Sequence, residues 1–481
     1  MNRARPYLAV TLGVTCVTAY FSAAYFHVDE YFQVLELVRF KLGEIGEPLP
    51  WEHVERLRPW LQPFLYYCVA TALGVRDTFR LAFVARLVTG LANVGALALL
   101  LRTTLPWLGS EREQRFHVRV LTLLGFFPYL FVRTSSESAS MAALTAGFAV
   151  LLAGATRDGA RWTAPLPPRS AVLGGFLLGL AFELRFQTAF ASLGIAAWLG
   201  VVARRRALLL LPGGLGAVVL GALADRWGYG AWELPAWTYF RANLLEGAAG
   251  MFGTDPPFSY LWLTPANVFL PVVVAVMIAV AVAWRRNLRH PLTAATLPFV
   301  VVHNLIAHKE ERFLFPVAVL VVALVSLTTK PGRWLKPLAV YSTAMMALLA
   351  FVPLGWHTHV RFTRWVHEHL GDDFHAVALP EIDLNLPPFR PRVYDVEKAD
   401  AAEIVRRLDA REARTWLIAD RPILTTGTSL DERAVLVYSE LPGYADPAWR
   451  ARAMRWVDAY NAAARPPLRK VHYRSLYRLD R

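Results

Sequence analysis

The sequence predicts an all-α polytopic membrane protein, a bundle of about 11–12 spans with a small C-terminal α/β domain. Three observations predict it. Of 481 residues, 55% are hydrophobic and only 18% charged, and the mean hydropathy is +0.35, whereas a soluble domain carries about a quarter charged residues. Apolar runs of about 15–23 residues recur almost end to end, close to the length that crosses a bilayer core of ~30 Å. Beyond about residue 357 the apolar content falls and short alternating runs begin. Together these exclude a soluble enzyme, a disordered chain and a disulfide-built secreted module.

The first run, Tyr7–Phe26, follows the basic start Asn-Arg-Ala-Arg. Its apolar core is longer than that of a signal peptide and lacks a small-residue cleavage site, so it reads as a retained span. Further runs lie near 61–75, 79–101, 116–132, 138–156, 171–184, 186–203, 206–224, 264–284, 292–307, 313–328 and 336–355. Basic loops favour the cytoplasm, which places the N-terminal arginines, Arg157–Arg169, Arg204–Arg206, Arg285–Arg289 and Lys330–Lys336 there. Alternation then puts 27–60, 225–262, the His308–Arg312 turn and the C-terminal tail on the opposite, outer face. Three runs separate 27–60 from Arg133–Glu137, where an even number is needed. One is therefore expected to be broken or re-entrant, around Asp77–Arg86. The expected domains are 1–356, a membrane catalytic domain with outer loops 27–60 and 225–262, and 357–481, a soluble α/β domain on the outer face. In the latter, β-like runs (Thr415–Ala419, Ala434–Tyr438, Val471–Tyr477) alternate with helical stretches at Ala401–Leu408 and Pro447–Ala463.

Cys16 and Cys68 both lie in apolar runs, where a thiol is usually a small hydrophobe, and no Cys/His cluster suggests zinc or redox chemistry. The net charge of +14 is explained by arginine-rich loops at membrane edges rather than by nucleic acid, which is not expected as a partner. Only six of the 51 basic residues are Lys, and no Asn-x-Ser/Thr sequon occurs. Both lean toward a bacterial chain of high genomic GC content.

The first span runs straight into His27-Val28-Asp29-Glu30-Tyr31-Phe32-Gln33. Adjacent carboxylates at a membrane edge are costly unless paired or solvated. Asp29 and Glu30 read either as a general base at the mouth of a cavity or as acids starting a helix at the positive end of its dipole. Between two apolar spans lies His308-Lys309-Glu310-Glu311-Arg312-Phe313. Lys309 and Arg312 can hold a phosphate, Arg as a bidentate fork, with the two glutamates keeping the cluster near neutral. The other reading is a charge network fixing two helix ends. The 225–262 loop holds Trp227, Trp232 and Trp237, which suit an interfacial belt, a sugar platform or the flanks of a lipid tail equally well. Arg185 interrupts an apolar stretch of roughly thirty residues. It reads either as a cavity residue facing a lipid phosphate or as a span boundary.

In this order, these segments resemble the dolichyl-phosphate-mannose-dependent α-mannosyltransferases of glycosyltransferase family 22. His27 to Gln33, followed by Glu36, is similar to the family's first-loop acidic motif, with Val28 where the GPI-type enzymes usually carry Pro. Pro50-Trp51-Glu52 and Arg58-Pro59-Trp60-Leu61-Gln62-Pro63 resemble its Thr-Trp-Glu and Arg-Ser-Trp-Leu-Tyr-Pro stretch. Asp225, Tyr229-Gly230, Asn243, Glu246-Gly247 and Phe252-Gly253-Thr254 resemble its second outer loop. His308 to Phe313 matches its His-Lys-Glu-Glu-Arg-Phe signature throughout, and Arg133-Thr134 is similar to an intermediate motif. The resemblance covers roughly residues 7–330.

It implies a GT-C fold, an outer-face active site and inverting transfer of mannose from a polyprenyl-phosphate donor to a glycolipid or glycan acceptor. Asp29 would be the general base, beside Glu30. His308, Lys309, Arg312, Arg133, Arg185, Asp225 and Tyr229 would bind the donor phosphate or substrate, with no metal and no cofactor required. Transfer of another polyprenyl-phosphate sugar, such as arabinose or glucose, is the alternative within enzymes. A lipid-linked-sugar transporter is the alternative outside them, although no internal repeat with matched broken helices is visible. The composition points to a bacterial inner membrane with a periplasmic site; a eukaryotic chain would instead sit in the endoplasmic reticulum with a lumenal site.

Overall fold

Helices begin and end where the sequence supplies caps, prolines and polar breaks. The computed structural model describes residues 2–46, 49–159, 161–267, 270–332, 335–351, 360–370, 375–382, 395–410, 416–464 and 471–480. The chain divides into two compact units: Met1–Ser22, Phe32–Leu42 and Pro48–Leu354 form the first, and Ala23–Tyr31, Gly43–Glu47 and Gly355–Arg481 the second.

The first unit is helical apart from a short antiparallel hairpin of β1 (Thr156–Asp158) and β2 (Arg161–Thr163). Among the described residues, Thr78–Trp107, Arg204–Tyr229 and Glu311–Thr328 are each long and apolar enough to cross a membrane. Pro271–Arg286 and Pro291–Leu305 qualify together, bent by 118°. The other apolar runs form helices of 11 to 17 residues, including Arg5–Phe21, Leu61–Ala72, Ser136–Leu151, Pro168–Leu184, Ala189–Val202 and Leu335–Phe351. Breaks shorten them. One was expected around Asp77–Arg86, yet the helix Thr78–Thr104 runs unbroken through that region, its first turn capped by Asp77 accepting from Arg80 N–H at 2.8 Å. A separate interruption lies at Leu124–Phe126, between Glu111–Leu123 and the five-residue helix Phe127–Phe131.

Backbone groups freed at that break find side-chain partners, as an apolar surround requires. Gly125 N–H donates to Ser342 Oγ at 2.8 Å. The buried Asn93 amide lies 3.0–3.2 Å from the carbonyls of Thr89, Phe131 and Ser138. Elsewhere, small residues let helices touch through their backbones. Where Pro168–Leu184 crosses Leu210–Tyr229, a Cβ at Gly175 would collide with the Leu210 carbonyl, and one at Gly213 with that of Val172.

The second unit holds a five-stranded mixed sheet in the order β4-β3-β5-β7-β6. β3 (His375–Ala378) pairs parallel with β4 (Asp395–Lys398) and with β5 (Trp416–Ala419). β7 (Ser475–Leu479) runs antiparallel to β5 and to β6 (Ala434–Ser439), with a register shift between Leu436 and Tyr438. Ala376, Leu417, Ile418 and Leu476 form a core with Phe362, Val366, Ile404 and Leu408 from the helices Val360–Leu370 and Ala401–Asp409. The expected helices and three of the strands are here. The third β-like run starts later than expected, at Ser475, and Thr415 lies outside the described residues. Strands β3 and β4 were not foreseen.

Candidate active site

The turn after the first helix separates the roles of its two acids. Glu30 is 1% exposed, and its Oε1 accepts from the backbone N–H of Phe26 (2.7 Å) and His27 (3.4 Å). It therefore starts the following helical turn in the manner of a cap. The Asp29 side chain keeps 19% of its surface exposed, with its Oδ2 3.4 Å from His27 Nδ1. Helix-start duty thus falls to Glu30, and Asp29 is the more exposed of the two carboxylates.

In the first unit, the His308–Arg312 turn builds a charged cluster with residues distant in sequence. Arg312, 4% exposed, donates from Nε to Glu310 Oε2 (2.5 Å) and from Nη2 to Glu310 Oε1 (3.2 Å), and its Nη1 lies 3.7 Å from Glu137 Oε1. The same Glu137 oxygen is 3.1 Å from Arg185 Nη1. His308 Nε2 is 3.0 Å from Glu310 Oε1. The Arg185 and Arg312 guanidiniums both lie over the Phe313 ring, 5.0 and 5.4 Å from its centroid, so the aromatic residue of the motif seats the two cations. Lys309 instead donates to two carbonyls, Ile306 (2.6 Å) and Asp255 (3.1 Å), tying the end of the second outer loop to the turn. Glu137 was not singled out in the sequence, although its position beside Ser135 and Ser136 at the start of an apolar helix was visible there.

Arg185 joins this cluster to a small cleft. The backbone leaves the helix there (φ −152°, ψ 105°), so Arg185 is a span boundary and a buried ion-pair partner at once. With Ser136 and Gln187 it forms one wall of the cleft; Arg58, Pro59 and Gln62 form another. Asp225 and Tyr229 hold the second wall in place from behind. Asp225 Oδ1 accepts from Trp60 N–H at 2.7 Å, and the Tyr229 hydroxyl donates to the Arg58 carbonyl at 2.6 Å. Trp60 packs so closely that a Cβ at Gly228 would overlap its ring. His53 stacks on Tyr229 at 5.1 Å, and burial beside Lys41 and Arg56 pushes its imidazole down to about 4. Arg58, which carries a cation to the cleft wall, is paired with Glu52 (2.6 Å) and stacked over Tyr239. Arg133 lies fully buried elsewhere, donating to the Tyr129 carbonyl (3.2 Å) and to Ser22 O and Oγ (3.1 and 2.9 Å).

On the other side of the turn an apolar groove of about 400 Å³ opens, its lining including Glu311, Leu314, Phe315, Tyr260 and Met277. Arg185 lines the polar cleft and shares Glu137 with Arg312, and the residues that follow Arg312 line the apolar groove, an arrangement suited to an anionic headgroup on an apolar tail. Among the described residues, no three His, Cys, Asp or Glu side chains gather as a metal site would require.

A many-helix membrane unit and a small α/β unit give the chain a fold of the GT-C class. The fold is shared with ArnT from Cupriavidus metallidurans bound to undecaprenyl phosphate, at a TM-score of 0.55 and 12% identity over 98% of this chain and 97% of that one. The apo form of the same protein gives 0.51 at 11% identity, over 86% of this chain and 91% of that one. The model of the Alg9-like mannosyltransferase family matches residues 7–380, and the chain belongs to that family. It is 27% identical to GPI mannosyltransferase 3 of Yarrowia lipolytica over 72% of this chain and 68% of that protein. It is 26% identical to GPI alpha-1,2-mannosyltransferase 3 of Mus musculus over 75% of this chain and 65% of that protein. The chain thus spans about two thirds of the length of these relatives.

Proposed function

We propose that the chain transfers mannose from a polyprenyl-phosphate donor to a glycolipid or glycan acceptor, inverting the anomeric carbon to give an α-mannoside. The observation that carries this reading is the apolar groove lined by Glu311, Leu314 and Phe315, next in sequence to Arg312, which shares Glu137 with Arg185. A polyprenyl chain fits the groove, and its phosphate would meet Arg312 and Arg185, with His308 beside them. The undecaprenyl phosphate named in the ArnT structure and the α-1,2-mannosyl transfer named in the mouse relative support the same chemistry. Asp29 takes the proton from the acceptor hydroxyl as that oxygen attacks the anomeric carbon. The bond from that carbon to the phosphate oxygen breaks, and polyprenyl phosphate leaves with the electron pair, its charge held by the guanidiniums. Asp225 and Tyr229 serve by fixing the cleft wall, Lys309 by fixing the loop, and Arg133 by fixing the end of the first helix. We assign residues 1–356 to the membrane catalytic domain and 357–481 to a soluble domain, with the active site on the periplasmic face of a bacterial inner membrane. The test is incubation of purified protein with labelled polyprenyl-phosphate mannose and host lipid extract. A labelled lipid or glycan whose mannose is released by an α-mannosidase supports the proposal. Label that stays in the donor, or passes only from a different polyprenyl-phosphate sugar, rejects it.

A further inference from the structure

The helix Glu111–Leu123 is opened by a capping box in which Ser110 Oγ accepts from Glu113 N–H and the Glu113 carboxylate accepts from Ser110 N–H, both at 3.2 Å. Arg112, Arg115 and Arg119 follow at i, i+3 and i+7, which places them in one stripe. All three are exposed, whereas His117, Val118 and Leu121 on the other face are buried. Arg3 approaches the stripe from the N-terminal segment and pairs with Glu111, which also faces Arg115 at 3.8 Å. Arg112 donates to the Pro331 carbonyl (3.0 Å), and Arg119 Nε donates to the Tyr7 hydroxyl (3.0 Å). Among the described residues, no carboxylate pairs with Arg112 or Arg119. Four guanidiniums therefore face one carboxylate outside the capping box, that of Glu111, which Arg3 and Arg115 share. Beside this stripe lies a cleft of about 440 Å³ lined by two of the four, Arg3 and Arg115, together with Asn2, Tyr7 and Gln114 and the apolar Leu105 and Val118.

A basic loop that merely faces the cytoplasm needs neither a concave cleft nor cations gathered on one helix face. We propose that this cleft binds the phosphodiester of an acidic phospholipid headgroup. Arg115 and Arg3 take the phosphate oxygens, and Arg119, held by Tyr7, adds the field that attracts the anion. Leu105 meets the first carbons of the acyl chains, which a soluble phosphate does not possess. This site stands apart from the proposed transfer reaction and uses none of its residues.

The test uses the full-length protein in neutral detergent and follows its melting temperature. Dioctanoyl phosphatidylglycerol, dioctanoyl phosphatidylcholine and inorganic phosphate are titrated at matched ionic strength. Phosphatidylglycerol is expected to raise the melting temperature by several degrees, and the other two to leave it near its starting value. The double variant Arg115→Gln/Arg119→Gln should weaken the apparent affinity for phosphatidylglycerol about tenfold or more while keeping the wild-type rate of transfer. Equal shifts with phosphatidylcholine, a full shift with inorganic phosphate alone, or an undiminished response in the double variant would each overturn the proposal. If the double variant does not fold, the lipid retained on the wild-type protein in native mass spectrometry decides: acidic phospholipid retained over phosphatidylcholine supports the site, and no preference refutes it.

Discussion

Asp29 and Glu30 are neighbours with different surroundings. Glu30 accepts from two backbone N–H groups, and the Asp29 carboxylate lies beside the His27 imidazole. Arg312 is a sterner case, because it is an ion-pair partner of Glu310 and Glu137 and its neighbour Glu311 lines the apolar groove proposed for the donor. Arg312→Ala leaves two carboxylates facing one fewer cation, and breaking a buried pair costs roughly 3–5 kcal/mol. The variant should therefore melt lower and also bind donor more weakly, whereas Arg312→Lys should recover part of both, lacking the planar fork. Melting temperature and donor affinity measured on one preparation check this. A lowered melting temperature with unchanged affinity would make the cluster a helix clamp alone. His53 supplies a pH signature. Its folded-state imidazole titrates at about 4, below the ordinary 6.5, so the unfolded chain binds the proton first. Stability is full above pH 6.5 and declines as pH falls toward 4. Denaturant melts across that window should show the decline, and His53→Gln should flatten it.

At the scale of elements, the apolar runs were legible from length and composition, and so was the tight charged turn at 308–312. Breaks inside the runs were harder to place. Asp77 looked disruptive but only caps a helix, and the interruption at Leu124–Phe126 is apolar in sequence. It is tolerated because Asn93 and Ser342, far away in the chain, satisfy the freed backbone. The same distance hid Glu137: its pairing with Arg185 and Arg312 depends on how three helices pack, which no local pattern reports. Asp225 and Tyr229 were visible as motif residues, but their attachment to Trp60 and Arg58 was not. Close helix contact gives its own prediction. Gly175→Leu would drive a side chain into the Leu210 carbonyl, and overpacking of this kind costs about 1–3 kcal/mol or more. The variant should lose several degrees of melting temperature, while Gly216→Leu, on the same helix pair but with room around it, should lose much less.

For the whole molecule, orientation follows from charge. Replacing Cys16 and Cys68 and then introducing single cysteines at the exposed positions Gly250, Ser429 and Arg205 gives a direct reading. Gly250→Cys and Ser429→Cys should react with an impermeant maleimide added from the periplasmic side, and Arg205→Cys only after the membrane is opened. The opposite pattern would invert the proposed topology. The central claim, that this chain moves mannose off a lipid phosphate with Asp29 as base, is tested most directly by single-turnover transfer from labelled polyprenyl-phosphate mannose. Wild type and Asp29→Asn are compared on protein of matched fold and donor affinity. The account predicts that the variant binds donor normally and transfers about 10²–10⁴-fold more slowly. Transfer by the variant within a few-fold of wild type would contradict it.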